Sequence, residues 1–433
     1  MRDIMLLKLR LFLAYARQYG WSNAIIFSLF KIFPRKFVLL SRKLGGASSS
    51  VSPLVAALDY RASFDSVYDY VPWTKFGGAE KAAKPRSDKP VFVWFVPDWS
   101  NVWGGGHFTL FRFAHHFSSF GCHNIIYIYN NERHSNPKAL QAELNEVFEN
   151  CTLEVITDPK NLPKAYVALA TTWQSAYHVR AFPFALNKFY FMQDYESQFY
   201  AYGTASMQAN ATYTFGFRGI TGGGWLKSRY EAHAGKGTAQ NYRFAADKTI
   251  FFPADPGGKV RSKVKRLFFY GRPSTERRCF ELGMVALKKI ADHYPDVEIV
   301  IAGLDLAMEP PFKATLLGNM TLAKTGELYR TCDLGMAFSA TNLSYLPVEL
   351  MQSGVPVISN NGNHIEWHCE HGKNAYLVDP APQAVLDAFA ALYDSRQLRQ
   401  KLADGGLKTM EPITWDDEMT KIYEYVTAHS VAR

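Results

Sequence analysis

Val91-Phe92-Val93-Trp94-Phe95-Val96, closed by Pro90 and Pro97, leads into Gly104-Gly105-Gly106, an apolar helical pattern over 107–120 that stops at Gly121, and the apolar run 124–129. Six consecutive apolar, β-branched and aromatic residues between prolines read as a strand buried on both faces. Strand, glycine-rich turn, helix and strand make a βαβ unit, and such units build parallel sheets.

Outward from this unit the alternation continues. A helix is expected over 139–148, and strands over 153–156 and 165–170. A strand over 189–192 exits through Gln193-Asp194-Tyr195-Glu196, and another is expected over 211–215. Thr221-Gly222-Gly223-Gly224-Trp225 opens the next helix, and this half ends near 251–253. Residues 254–265, rich in Gly, Pro and Lys, link to a second series. It begins with a strand over 266–270, Gly271-Arg272-Pro273, a helix over 277–294 and a strand over 297–302. A strand near Met320, a helix over 325–331, a strand over 334–338 and a helix over 349–353 stopped by Gly354 follow. Strands over 355–359 and 375–378 and helices over 382–403 and 415–429 complete it. The expected fold is α/β, with two doubly wound Rossmann-like domains facing across a cleft. The expected divisions are an extension over 1–50, a first domain over 51–253, a second over 254–414 and a terminal helical segment over 415–433.

Charge locates one feature. Of the formal +9 carried by 433 residues, residues 1–44 hold +8, from nine basic groups and Asp3, so the remaining 389 residues sum to +1. The basic segment is also apolar, with Leu11, Phe12, Trp21, Ile25 and Phe30 among others. It is expected to be helical, either lying against an anionic membrane surface or packed on the body with its Lys and Arg facing water. Lys8 and Arg10 interrupt its first apolar stretch, which disfavours a signal peptide, and no run of about 20 apolar residues marks a transmembrane helix. The nearly neutral body disfavours a nucleic-acid partner. Five widely spaced cysteines without a C-x-x-C pair read as reduced thiols, and His368-Cys369 with His371 lacks a second ligand pair for zinc. The expected location is cytoplasmic, peripheral on the inner face of the cytoplasmic membrane.

Chemistry concentrates after strands. Glycines at Gly104-Gly105-Gly106 let backbone approach a ligand at a helix start, with His107 next, yet the pattern is not that of a dinucleotide fold. Arg272 ends a strand and Arg277 stands five residues on, so two cations could neutralise a diphosphate, with Arg278 as the solvated neighbour. Glu349, at the expected start of a helix, could accept two sugar hydroxyls. Asp194 and Glu196 at a strand exit could orient an acceptor hydroxyl, their side chains pointing the same way if the strand persists.

Together these stretches resemble the retaining GT-B glycosyltransferases of family 4. Pro347-Val348-Glu349-Leu350-Met351 through Gly354-Val355-Pro356-Val357-Ile358, followed by Gly362, Glu366, Gly372 and Leu377-Val378, is similar to that family's helix-and-strand signature. Gly271-Arg272 with Arg277 resembles its diphosphate-binding Arg and Lys. Where the family usually has a glutamate eight residues before Glu349, this chain has Thr341. Gln193-Asp194-Tyr195-Glu196, 269–274 and Ser344-Tyr345-Leu346-Pro347 resemble the WsaF-type rhamnosyltransferase branch, which builds bacterial surface polysaccharide from dTDP-rhamnose.

The resemblance implies transfer of L-rhamnose from dTDP-L-rhamnose to a glycan or lipid-linked glycan, with retention, and with neither metal nor resident cofactor. It implies donor contacts at Gly271, Arg272, Arg277, Tyr345 and Glu349, and an acceptor side at Gly105, Gly106 and His107, with Asp194 and Glu196 beside it. Two other readings stand alongside: a nucleotide-sugar epimerase or hydrolase of the same fold, and a silent sugar-binding scaffold subunit, which Thr341 keeps open.

Overall fold

The computed structural model describes residues 89–99, 102–130, 136–304 and 308–430. The basic extension over 1–50 and the opening stretch of the expected first domain, 51–88, lie outside these residues.

The first half is one parallel seven-stranded sheet in the order β3-β2-β1-β4-β5-β6-β7. Its strands are β1 Val91–Val96, β2 His123–Ile128, β3 Glu154–Ile156, β4 Ala165–Ala170, β5 Ala185–Met192, β6 Arg218–Gly222 and β7 Ala239–Tyr242. β1 explains its own sequence. Phe92, Trp94 and Val96 enter one core cluster, while Val91, Val93 and Phe95 enter the cluster on the other face. A strand that feeds two cores has no place for a polar residue, and each fully buried side chain contributes about 1.5–3 kcal/mol. The helices on this sheet are α1 Gly105–Ser119, α2 Pro137–Val147, α3 Trp173–Ala181, α4 Thr204–Thr212 and α5 Gly224–Ala234.

The second half is a parallel six-stranded sheet, β10-β9-β8-β11-β12-β13. Its strands are β8 Arg266–Tyr270, β9 Glu298–Ala302, β10 Thr315–Leu316, β11 Leu334–Met336, β12 Val357–Asn360 and β13 Tyr376–Val378. Its helices are α6 Phe280–His293, α7 Leu322–Thr331, α8 Tyr345–Gln352, α9 Asn363–Glu366, α10 Pro382–Asp394 and α11 Arg396–Met410. The last helix, α12 Trp415–Ala428, packs on α1 and β7 of the first half. Phe120 stacks on Tyr423 at 4.1 Å, and Arg243 Nε donates to Glu418 Oε1 at 2.6 Å. Among the described residues no helix is long and apolar enough to cross a membrane.

The two doubly wound halves are as expected, with local departures. Residues 211–215 are not a strand: α4 ends at Thr212 and a turn follows. Tyr213 instead packs on Tyr190, Tyr195 and Tyr230, while Phe215 meets Tyr177 of α3 edge-on at 5.0 Å. The helix expected over 277–294 is broken, because Cys279 is left-handed at φ 53° between a 3-10 turn, Glu276–Arg278, and α6. The strand expected near Met320 is the short β10 instead. α8 begins four residues earlier than expected, so Glu349 is its fifth residue rather than its start.

Candidate functional site

In doubly wound sheets ligands sit at the carboxyl ends of strands where the strand order reverses. These points are β1/β4 in the first sheet and β8/β11 in the second. The loops after β1, β5, β8 and β11 carry most of the residues singled out in the sequence.

After β1, Gly105 and Gly106 open α1 and stay exposed. Their first-turn N–H groups are the ones a helix leaves without internal partners. Gln193 Nε2, from the exit of β5, donates to Gly106 O at 2.8 Å. Gly105 faces the second half: a Cβ there would lie 3.9 Å from Tyr345 Cδ2. His107 is placed differently from the acceptor-side expectation. Its Nε2 donates to Pro97 O at 3.1 Å, and its ring sits against Trp99 and Phe111. Burial lowers its pKa, so it is a neutral imidazole fixed in the first half.

After β5 the strand does not persist, so Asp194 and Glu196 do not alternate as strand residues. Asp194 faces the second half: its Oδ1 accepts from Tyr195 N and from Asn342 N, each at 2.9 Å. Its Oδ2 accepts from Arg277 Nε at 3.2 Å, with Arg278 at 3.8 Å. This carboxylate is a counter-ion for the two arginines after β8. Glu196 turns inward and accepts from Trp173 N at 2.5 Å. Burial pushes its carboxyl up to about 8, and the nearby Asp194 adds to the rise. Both groups stand beside Arg277, but Glu196 is turned into the first half, where it bonds the backbone of α3.

After β8, Gly271 leaves no room for a side chain, since a Cβ would come within 2.5 Å of Ile301 Cγ2. Half-buried Arg272 donates from Nη1 to Tyr270 OH at 3.3 Å. Arg277 lies on the 3-10 turn, its guanidinium 3.9 Å from the centre of the Phe199 ring. Arg278, expected to be solvated, is the inward member: its Nη1 donates to Ser339 Oγ at 2.7 Å and to Asn342 O at 3.4 Å. The 3-10 turn and the left-handed Cys279 turn the two arginines differently from a continuous helix.

After β11, Tyr345 stacks on Phe244 of the first half at 4.4 Å, and burial pushes its phenol up to about 12. It therefore joins the halves rather than lining open space. Glu349 accepts from Tyr329 OH at 3.3 Å. Burial pushes its carboxyl up to about 8 against the opposing pull of Tyr329 and Arg112. Thr341 is 2% exposed, directly before Asn342.

Asn342 escaped sequence reasoning. It is fully buried, and its side chain bonds both halves. Nδ2 donates to Gln193 O at 3.0 Å and to Gly222 O at 2.7 Å, while Oδ1 accepts from Trp367 Nε1 at 3.1 Å. Trp367 in turn lies on Gly223, where φ is 89° and a Cβ would come within 2.5 Å of the indole. The signal was present as two unrelated motifs, Gly222-Gly223-Gly224 and Glu366-Trp367, whose contact only the fold supplies.

Residues 265–390 match the family model of the WsaF C-terminal domain. O-antigen biosynthesis protein RfbC of Myxococcus xanthus is 35% identical over 354 residues, which cover 79% of this chain and 27% of that protein. The chain thus spans about a quarter of the length of the curated relative it matches. Sucrose-phosphate synthase of Thermosynechococcus elongatus superposes with a TM-score of 0.61 at 12% identity, covering 79% of this chain and all of that one. Anabaena HepE, solved with UDP, superposes at 0.60 and 15% identity, covering 78% of this chain and 100% of its own. A Rickettsia africae glycosyltransferase gives 0.57 at 14%, covering 79% and 100%. The second domain is thus similar to the WsaF C-terminal domain, and the two doubly wound sheets have the GT-B fold that these solved structures share.

Proposed function

We propose that the chain transfers a sugar from a nucleotide-diphospho-sugar, dTDP-L-rhamnose by its WsaF likeness, to a glycan acceptor in bacterial surface polysaccharide synthesis, with retention of anomeric configuration. The observation that carries this reading is the placement of Arg272 and Arg277 after β8 and of Glu349 on the helix after β11, the two strands between which the second sheet reverses its order, with Gly105 of the first half facing Tyr345 of that same helix. The bond between anomeric carbon and phosphate oxygen breaks, and the nucleoside diphosphate leaves with the electron pair. The acceptor hydroxyl oxygen bonds that carbon and passes its proton to the departing diphosphate oxygen. The negative charge that grows on the diphosphate is what guanidinium groups stabilise. Arg277 reaches the diphosphate by exchanging Asp194 for it, and Arg272 faces it from the end of β8. Glu349 meets donor hydroxyls; while protonated it both donates and accepts. Contact between the halves keeps water from competing with the acceptor.

The solved UDP complex of HepE supports the nucleotide-diphosphate part, and the O-antigen role of the Myxococcus relative supports the glycan acceptor. The reading extends to place: the +8 segment over 1–44 would hold the enzyme at an anionic membrane, near lipid-linked acceptors. Deleting it should abolish co-sedimentation with phosphatidylglycerol vesicles, and unchanged binding would remove that part.

The test of the reaction is radiolabel from dTDP-L-rhamnose followed into a bacterial membrane glycan fraction. Label in glycan supports transfer. Free sugar or a new nucleotide sugar formed without acceptor indicates hydrolase or epimerase chemistry, and donor binding without turnover indicates a silent subunit. Either of the last two outcomes overturns the reading.

A further inference from the structure

Between Ser197 and Phe217 the chain has no Asp, Glu, Lys, Arg or His. In a protein that is 20% charged, so long an uncharged run is expected to be buried, because solvated faces are where charges are kept. Much of this one is on the surface. Tyr202 is 87% exposed, Met207 57% and Tyr200 38%. Thr204 and Ala211 are exposed as well, so the outward stripe of α4 runs Thr204, Met207, Ala211 without a charge. The inward face is well anchored: Ser206 Oγ donates to Ser197 O at 2.8 Å, and Tyr195 OH to Asn210 Oδ1 at 3.1 Å.

The patch begins at the site. Phe199 lies under the Arg277 guanidinium. The next residue, Tyr200, accepts at its OH from Trp173 Nε1 at 3.1 Å. A tyrosine pinned by its hydroxyl yet partly open keeps a ring in one orientation at little entropic cost on binding. From there the patch leads away along α4 for about 13 Å.

We infer that Tyr200, Tyr202 and the outer face of α4 form a binding surface for a neutral carbohydrate chain, the acceptor glycan beyond the sugar that receives the transferred residue. This rests on the transferase reading and names its acceptor subsite. The chemistry matches in three respects. Aromatic rings with free faces pack on the C–H faces of sugars, and hydroxyl and amide side chains such as Thr204 and Gln198 match their hydroxyls. The outer face of α4 itself offers no cation to a nucleic acid or an anionic headgroup, the guanidiniums of Arg277 and Arg180 lying only at its borders, on Phe199 and Phe215. The length along α4 suits a chain rather than a single sugar.

The experiment uses the full chain with Tyr202→Ala and Met207→Lys, two exposed positions outside the donor machinery. In native gels cast with a neutral rhamnan, the wild type should be retarded and both variants should run freely. Donor stabilisation by dTDP-L-rhamnose in thermal shift should be equal in all three. In the transfer assay the acceptor KM should rise about tenfold for Tyr202→Ala, with donor KM unchanged. Retardation and acceptor KM unchanged in both variants would overturn the inference. So would wild-type binding to phosphatidylcholine vesicles, in place of rhamnan, that the variants lose. Rhamnan retardation lost in the variants, with no donor effect on any of the three proteins, would support this surface while removing the donor reading.

Discussion

At the scale of single residues, two carboxyls, the buried Glu196 and the half-buried Glu349, carry opposite lessons. Glu196 and Glu349 were both marked in the sequence as groups for sugar hydroxyls, and burial pushes both up to about 8. A native carboxyl that keeps its proton to about pH 8 binds a proton that the unfolded chain loses near its ordinary value of about 4.3. Stability from this source is therefore full below that value and falls as pH rises toward 8, by up to about 1.4 kcal/mol per pH unit for each group. Glu196→Gln keeps an acceptor for Trp173 N–H and removes the titration. Melting temperatures from pH 5 to 8 should fall less steeply in this variant than in the wild type, and an identical slope would show that Glu196 is ionised. Gly223 gives a second prediction at this scale. Gly223→Ala meets both a positive φ and the Trp367 indole, so it should cost about 2 kcal/mol or more, read by denaturant unfolding. Asp194 shows why role assignment from type alone stops short: its charge was legible, but its partners Arg277 and Asn342 come from 83 and 148 residues away.

At the scale of elements, strands buried on both faces were the most readable. The apolar runs of β1, β2 and β4 admit no other use, and their positions agree with the sequence to within a residue. Misreadings gathered where local pattern and tertiary use part. Residues 211–215 alternate like a strand but close a helix, and 382–403 read as one helix although Ser395 ends α10 and caps α11 through Leu398 N at 3.1 Å. Glu349 moved from helix start to helix interior because Ser344, not a residue near Val348, is the N-cap. The candidate site was half legible for the same reason. Arg272, Glu349 and the glycines are marked by their motifs, whereas Asn342, Trp367 and Phe199 are ordinary residues until two strand ends meet. α12 supports a quantitative expectation. Glu418 is almost fully buried and bonds Arg243 Nε at 2.6 Å, Arg243 N at 2.8 Å and Lys421. Glu418→Gln leaves those donors without their charge partner and should destabilise by about 2 kcal/mol, seen as a lower denaturant midpoint. A wild-type midpoint would mean that α12 is not held to the first half by this group.

At the scale of the whole molecule, charge is divided by purpose. The formal +9 belongs almost wholly to residues 1–44, while the body needs only a few arginines placed at strand ends. Those arginines lie where two sheets reverse their strand order and where Asn342, Asp194 and Tyr345 bind one half to the other. A donor that draws Arg277 from Asp194 would be read at the contact that joins the halves, so donor binding should stabilise the molecule as a unit. The measurement that tests this most directly is thermal unfolding of the full chain with dTDP-, UDP- and GDP-sugars, for the wild type and Arg272→Ala. A ligand at about a hundred times its Kd adds about 2.7 kcal/mol. The account predicts that dTDP-L-rhamnose raises the wild-type melting temperature by several degrees, and that Arg272→Ala, folded without ligand, loses most of that rise. No rise with any nucleotide sugar, or an equal rise in Arg272→Ala, would contradict it.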